Sequence, residues 1–210
     1  MITLYSMPSS GNSYKVRLLL AQLGIGYTHV ATEYAQGREL TKTEDFKKHK
    51  NPTGKVPTIE FEDGECLSES NAILHYFGED TVFVPSDKLA RARMYQWMFF
   101  EQNFHEGSVA TRAANLTYPD RAHLRTPDIL DPLLESGNRA LDIMEVQLTK
   151  TPYLAGDDYT LADICLYAYT HSAAKGGFDV VSRKGIAAWL ERVRLQPGHV
   201  TLDWLPDPSR

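Results

Sequence analysis

The sequence predicts an α/β domain of about 80 residues followed by an all-helical domain. Two observations predict this order. Short runs rich in β-branched and aromatic residues alternate with helical spacing in the first part of the chain, and beyond residue 88 the strand pattern nearly vanishes. Between them, residues 81–88 lose periodicity and contain Pro85, so we interpret them as a linker. The predicted domains are therefore residues 1–80 and 89–210.

The composition is that of an ordinary globular chain. Its 210 residues, 42% hydrophobic and 23% charged, can bury a sizeable core. The net charge of −5 argues against nucleic acid or an anionic membrane as a partner. No apolar run approaches the roughly 20 residues that cross a bilayer, and the N-terminus lacks a secretory pattern. Two distant cysteines, Cys66 and Cys165, predict neither a disulfide framework nor a zinc site and favour a cytoplasmic location.

The first predicted elements surround a turn at residues 7–12. Residues 2–5 predict a strand, and the apolar spacing from Val16 predicts a helix that ends at Gly24. Such a turn directs the amides of residues 11–13, which carry the positive end of the helix dipole, at whatever lies above them. Ser10 adds a hydroxyl and Asn12 an amide, so the turn suits an anion such as a thiolate.

The rest of the first domain follows the same alternation of strands and helices. Ser70 is predicted to cap a helix over residues 71–77. The preceding elements are a strand at 27–31, a short helix at 40–48, a turn at 51–54, and a hairpin of strands at 56–61 and 66–68.

The second domain is predicted from long helical patterns. A capping box is predicted at Thr160, whose hydroxyl accepts from the following helix while Asp163 accepts from the Thr160 amide, so Asp163 is interpreted as a folding determinant. Gly107 is expected to bend the first long helix. The predicted helices cover residues 89–116, 129–150 and 186–195, with a loop at 118–128.

Four segments together carry a resemblance to a known family. They are Ser10-Gly11-Asn12 before residues 15–20, residues 51–57, residues 69–74, and residues 160–163 with 188–190. In this order and at this spacing, the chain resembles the cytosolic glutathione transferases, in a bacterial serine (Ser-Gly-Asn) form with some nu-class features. The resemblance covers essentially the whole chain. It implies a thioredoxin-like N-terminal domain, glutathione as co-substrate, no metal and no tightly bound cofactor.

The resemblance also implies which residues bind glutathione. A cis peptide at Val56-Pro57 would expose the Val56 main chain, which pairs with the cysteinyl backbone like an added strand. Glu69 would bind the γ-glutamyl ammonium, and Ser70 with its helix N-terminus the γ-glutamyl carboxylate. Two lysines are expected to neutralise the glycyl carboxylate: Lys42 and Lys55.

Three residues are candidates for the donor that stabilises the thiolate. Ser10 matches the family's catalytic serine and would donate its hydroxyl to sulfur. Ser10-x-Asn12 also resembles the Thr-x-Asn turn of the nu class, in which the amide donates and disulfides are reduced. Tyr5 is the alternative because some classes use a tyrosine near the end of the first strand, although strand alternation favours a packing role. Residues 8–13 contain no cysteine, which argues against a covalent mixed disulfide with the protein.

The leading hypothesis is a homodimeric glutathione transferase that conjugates the thiolate to a small hydrophobic electrophile. The alternatives are a glutathione-dependent disulfide reductase or peroxidase of the nu type, and a non-catalytic ligand-binding protein with the same fold. The expected electrophile pocket lies between the first turn and the long helix after the linker. Its predicted residues are Met7, Phe104, His105, Ser108 and Arg112.

Overall fold

The computed structural model describes residues 1–32 and 38–206 and divides the chain into two compact units. The first unit contains residues 1–79 and the described C-terminal residues 197–206, and the second contains residues 80–196. The predicted order, with a thioredoxin-like α/β domain first and a helical domain second, is confirmed. The sequence analysis assigned residues 197–206 to the helical domain, whereas their contacts group them with the first unit.

The first unit is built around a four-stranded mixed sheet. Its strand order is β2-β1-β3-β4, with β1 and β2 parallel and β3 antiparallel to β1 and β4. In chain order its elements are β1 (Thr3–Ser6), α1 (Gly11–Leu23), β2 (Thr28–Ala31), α2 (Arg38–Lys42), α3 (Glu44–His49), β3 (Thr58–Glu60), β4 (Cys66–Ser68) and α4 (Ser70–Gly78).

Alternation along β1 decides which side chains face the core. Leu4 and Ser6 are fully buried, and Leu4 packs in one apolar cluster with Val16 and Leu20 of α1. Successive strand residues face opposite sides of a sheet, so Tyr5 lies on the other face, where its ring meets Phe46 of α3 edge-on at 5.4 Å between centroids. The turn at the carboxyl end of β1 is therefore held by a strand and a helix that share a core.

The predicted helix at 40–48 is two helices in the structure. They occupy Arg38–Lys42 and Glu44–His49. Thr43 lies between them with extended dihedrals, and its hydroxyl accepts a hydrogen bond from the Phe46 amide at 3.1 Å. A threonine cap of this kind begins a new helix, which the weak periodicity of the segment did not reveal.

The second unit is helical throughout its described elements. Residues 119–124 were predicted as part of a loop, but they form a short 3₁₀ helix that begins at Pro119. The elements are α5 (Lys88–Phe100), a π-helical stretch (Glu101–Ala110), α6 (Thr111–Thr117), a 3₁₀ helix (Pro119–Leu124), α7 (Pro127–Leu148), α8 (Leu161–Thr170), a 3₁₀ helix (Ala173–Gly176) and α9 (Lys184–Arg194). Of the helices described, none is both long and apolar enough to span a membrane.

The capping box at the start of α8 is confirmed and is part of a larger buried network. Asp163 is fully buried and accepts hydrogen bonds from the Thr160 amide at 2.9 Å and the Leu154 amide at 3.0 Å. The indole Nε1 of Trp189, on α9, donates to the same carboxylate at 2.9 Å. One side chain thus joins a loop, the start of α8 and the last helix.

Candidate active site

Ser10 is the N-cap of α1, and its hydroxyl proton takes no part in the capping hydrogen bond. Its Oγ accepts from the Ser13 amide at 3.4 Å, while its own amide donates to the Met7 carbonyl at 3.0 Å. In return the Ser13 hydroxyl accepts from the Met7 amide at 3.1 Å. These bonds fix both ends of the turn. Because the capping bond uses only a lone pair of Ser10, the hydroxyl can still donate to an acceptor above the turn.

Asn12 joins this turn to the start of α4. The Ser70 hydroxyl donates to Asn12 Oδ1 at 3.1 Å. The structure therefore brings together a residue predicted to contact the thiolate and a residue predicted to contact the γ-glutamyl carboxylate. The Asn12 oxygen accepts this hydrogen bond, and the side-chain nitrogen of Asn12 carries the two N–H donors of the amide.

Glu69, rather than Ser70, is the N-cap of α4, so the predicted capping role of Ser70 is wrong. Glu69 has φ 70° and ψ 110°, a backbone region that L-residues rarely adopt, and it makes no side-chain cap. Ser70 is already helical and is buried, with its hydroxyl directed to Asn12. The first turn of α4 contains no acidic residue either. The positive end of this helix is therefore not covered by a side chain of its own first turn.

The strain at Glu69 predicts an inverted order of stability. We expect Glu69→Gly to be about 1 kcal/mol more stable to unfolding than Glu69→Ala, because glycine removes a steric cost of roughly 1–3 kcal/mol at this φ and loses part of it in chain entropy. Urea denaturation of the two variants measures the difference. The control is Ala72→Gly on the exposed side of α4, a substitution that should lower the free energy of unfolding by roughly 0.5–1 kcal/mol. A Glu69→Gly protein less stable than Glu69→Ala contradicts the strain at this residue.

The peptide bond between Val56 and Pro57 is cis, as predicted. Within the part of the chain that the structure describes, neither the amide nor the carbonyl of Val56 has a hydrogen-bond partner. Asn51 shapes the approach to this bond: it is buried, and its Nδ2 donates to the Lys55 carbonyl at 2.9 Å and to Thr58 Oγ1 at 3.3 Å. From the sequence, Asn51 was identified as a turn residue and as the first residue of the 51–57 segment of the resemblance, but its contacts to Lys55 and Thr58 were not predicted.

The remaining predicted glutathione residues lie on the surface of the first unit. Lys42 is exposed at the end of α2, and Lys55 is exposed directly before Val56. Neither lysine is fixed by an ion pair within the described residues. Met7, which was predicted as an electrophile residue and lies in the same unit, is half-buried and is held in the turn through both of its main-chain polar groups.

Tyr5 is engaged on the other face of the sheet. Its hydroxyl donates to Glu60 at 2.7 Å, and Glu60 is also ion-paired with Lys50. Burial, followed by the hydrogen bond to Glu60, raises the pKa of Tyr5 to about 12. A phenol with this pKa and this partner is a poor candidate for thiolate stabilisation. The geometry therefore favours the Ser10 turn over Tyr5.

The predicted electrophile residues differ in accessibility within the second unit. Phe104 is 61% exposed, whereas His105 is fully buried with Nε2 3.0 Å from the Thr170 hydroxyl. Ser108 is buried and donates to the Phe104 carbonyl at 2.7 Å. Arg112 donates to the carbonyls of two residues outside its helix, Leu130 and Gly176.

Fold and turn together define a class: a thioredoxin-like domain with polar donors at the start of its first helix, followed by a helical domain. The profile described as "Glutathione S-transferase, N-terminal domain" matches residues 1–79, and the one described as "Glutathione S-transferase, C-terminal domain" matches residues 127–197. The chain belongs to the glutathione S-transferase family.

Individual relatives agree with this assignment. A crystal structure of a glutathione S-transferase from Pseudomonas fluorescens is 43% identical, covers 96% of this chain and 98% of its own, and superposes with a TM-score of 0.90. Glutathione S-transferase F14 of Arabidopsis thaliana is 30% identical over 89% of this chain and 76% of its own length. The disulfide-bond oxidoreductase YfcG of Escherichia coli is 26% identical over 94% of this chain and 92% of its own length.

Proposed function

We propose that this protein binds glutathione at the Ser10 turn, stabilises its thiolate and transfers it to a small hydrophobic electrophile. The observation that carries the proposal is the junction of Ser10 and Asn12, at the start of α1, with Ser70 at the uncapped start of α4. Two helix N-termini with adjacent polar side chains suit a ligand that has a thiolate at one point and a carboxylate at another. The family membership supports the same ligand.

The energy needed to activate the thiol is within reach of these groups. A free thiol has a pKa of about 8.5, so lowering it by about two units requires about 2.7 kcal/mol. A hydroxyl that donates to a charged sulfur contributes roughly 1.5–3 kcal/mol, and a helix N-terminus roughly 0.3–1 kcal/mol. In the proposed mechanism Ser10 is therefore a donor and not a nucleophile, and no general base is required.

The other parts of glutathione have proposed partners in the same unit. The γ-glutamyl carboxylate is assigned to the first amides of α4 and to the Ser70 hydroxyl, whose single proton would turn from Asn12 Oδ1 to the carboxylate when the ligand binds. The ammonium is assigned to the exposed Glu69 carboxylate. The cysteinyl backbone is assigned to the unpaired main chain of Val56 beside the cis Pro57. Two exposed lysines are assigned to the glycyl carboxylate: Lys42 and Lys55.

The electrophile and the assembly complete the proposal. Of the predicted electrophile residues in the second unit, Phe104 has the most accessible side chain, so we assign the apolar contact to it. We also propose a homodimer in the cytoplasm, where the two free cysteines would stay reduced, and glutathione as a co-substrate in place of a bound cofactor.

Glutathione-dependent disulfide reduction is the second candidate. It is favoured by the position of Asn12 in the first turn of α1, because a side-chain amide carries two N–H donors that suit a sulfur anion above the turn. The similarity to YfcG, named as a disulfide-bond oxidoreductase, points the same way. In this reaction the glutathione thiolate attacks one sulfur of a disulfide in place of a carbon electrophile, so that a mixed disulfide forms, the original S–S bond breaks and the other sulfur leaves as a thiolate.

Two measurements test the proposal and separate the candidates. Calorimetric titration should show glutathione binding with micromolar to millimolar affinity, and absence of binding would exclude both reactions and leave the non-catalytic protein. Steady-state rates with an aromatic halide and with hydroxyethyl disulfide then identify the chemistry. We expect Asn12→Ala to reduce the aromatic halide rate less than Ser10→Ala does. If Asn12→Ala alone abolishes activity and the disulfide is the better substrate, reduction is the function.

A further inference from the structure

Arg17 is a buried cation that binds the loop directly before Ser10. It lies on α1 with no exposed surface. One guanidinium nitrogen donates to Ser6 Oγ at 3.3 Å and to the Met7 carbonyl at 3.4 Å. The second terminal nitrogen, Nη2, donates to the Pro8 carbonyl at 2.8 Å and to the Leu202 carbonyl at 2.7 Å. One side chain thus connects the end of β1, the turn and the C-terminal segment.

The C-terminal segment, residues 197–206, packs along the same helix. The Tyr14 hydroxyl donates to the Val200 carbonyl at 2.7 Å. Gly198, at φ 71°, comes so close to α1 that an added Cβ would lie 2.9 Å from the Gln22 Cα. The segment therefore contacts α1 at residues both before and after Arg17 in the sequence. It covers the guanidinium and supplies one of its carbonyl partners.

We infer that Arg17 is a positioning residue for the Ser10 turn, and that the C-terminal segment contributes to thiol activation through it. The inference rests on the proposed function. The Ser10 amide bonds to the Met7 carbonyl, so the guanidinium that holds Met7 and Pro8 sets the orientation of the next residues. A planar guanidinium donates to several carbonyls at fixed angles, whereas a lysine ammonium does not reproduce this geometry. Loosening the segment would admit water to Arg17 and weaken its bonds to the turn.

The variants for the test act on either side of this connection. Arg17→Lys keeps the charge but loses the planar donor geometry. Gly198→Val leaves Arg17 in place and displaces the C-terminal segment from α1. Asp203→Ala is the matched control, because this exposed carboxylate bonds within the segment, to Thr201. Thermal unfolding of the full-length proteins establishes that each variant is folded.

The first readout is amide hydrogen exchange at Ser10, which needs no ligand. Exchange should be at least several-fold faster in Arg17→Lys and Gly198→Val than in the wild type and Asp203→Ala. Unchanged exchange in both variants overturns the positioning role by itself, whether or not the protein binds glutathione.

The second readout is the pKa of the bound glutathione thiol, from the ultraviolet absorbance of the thiolate. Both variants should lower the thiolate fraction at neutral pH about three- to tenfold, with kcat affected more than KM. In a Ser10→Ala background the same substitutions should have little further effect, because they act through Ser10. Additive effects, or a normal pKa in Arg17→Lys, contradict the inference while the proposed function stands. A wild-type protein that binds no glutathione refutes both.

Discussion

Replacing Asp163 by alanine is expected to lower the free energy of unfolding by about 4 kcal/mol or more. The substitution leaves four buried donors without their acceptor: the amides of Leu154 and Thr160, the Thr160 hydroxyl and the indole of Trp189. Each unsatisfied buried donor costs roughly 1–3 kcal/mol, and the lost capping box adds roughly 0.5–2 kcal/mol. Urea or thermal denaturation measures the change.

The matched control for this prediction is Asp158→Ala. Asp158 is an exposed carboxylate in the same loop, so its removal should change stability by no more than about 0.5 kcal/mol. Equal effects of the two substitutions would show that the buried network does not carry the stability attributed to it.

The stability that Asp163 provides should also depend on pH. Desolvation raises its pKa from 3.8 to about 6 against the opposing effect of its hydrogen bonds. Because the folded-state pKa is the higher one, the native protein binds a proton that the unfolded chain releases between these values. The stability of the wild type relative to Asp163→Asn should therefore fall as pH rises from about 4 to about 6 and stay constant above that range. A difference that rises over the same interval contradicts the sign of the shift.

Ser10→Ala is expected to raise the pKa of the bound glutathione thiol by about one to two units and, through the smaller thiolate fraction, to lower the conjugation rate at pH 7 roughly three- to twenty-fivefold. These values follow from the roughly 1.5–3 kcal/mol that a hydroxyl contributes by donating to a charged sulfur. The rate deficit should shrink at alkaline pH, because the thiol of the variant then ionises without help. A pH–rate profile of kcat with an aromatic halide measures both quantities.

Two control variants separate this chemical role from the capping role of the same hydroxyl. Ser10→Thr keeps a hydroxyl and the helix cap and should retain most of the activity. Ser9→Ala changes the exposed neighbouring serine and should leave the pKa of the bound thiol in place. A Ser10→Ala protein with an unchanged pH–rate profile would remove Ser10 from the mechanism.

Local patterns predicted much of this fold. The end of the first helix at Gly24 and the capping box at Asp163 are each set by residues within a few positions, so periodicity and capping rules were sufficient to predict them. The cis bond before Pro57 is not evident from its own dipeptide, and the resemblance carried by residues 51–57 predicted it.

Non-local contacts were beyond the reach of such patterns. Arg17 has the appearance of a solvated charge in a helix, and its partner Leu202 lies 185 residues away. Serine is a residue type typical of N-caps, but the unusual dihedral angles of Glu69 make Glu69 the N-cap, so α4 begins at Ser70, one residue earlier than predicted. The contact between Ser70 and Asn12 crosses 58 residues and required the packing of two helices.

A crystal structure with bound glutathione would locate the thiolate site without further interpretation. We expect the sulfur within hydrogen-bonding distance of Ser10 Oγ or the Asn12 amide, with the cysteinyl backbone paired to Val56 and the γ-glutamyl carboxylate at the start of α4. A tripeptide bound with its sulfur away from both residues would contradict the proposed thiolate site, while the two-unit fold would stand.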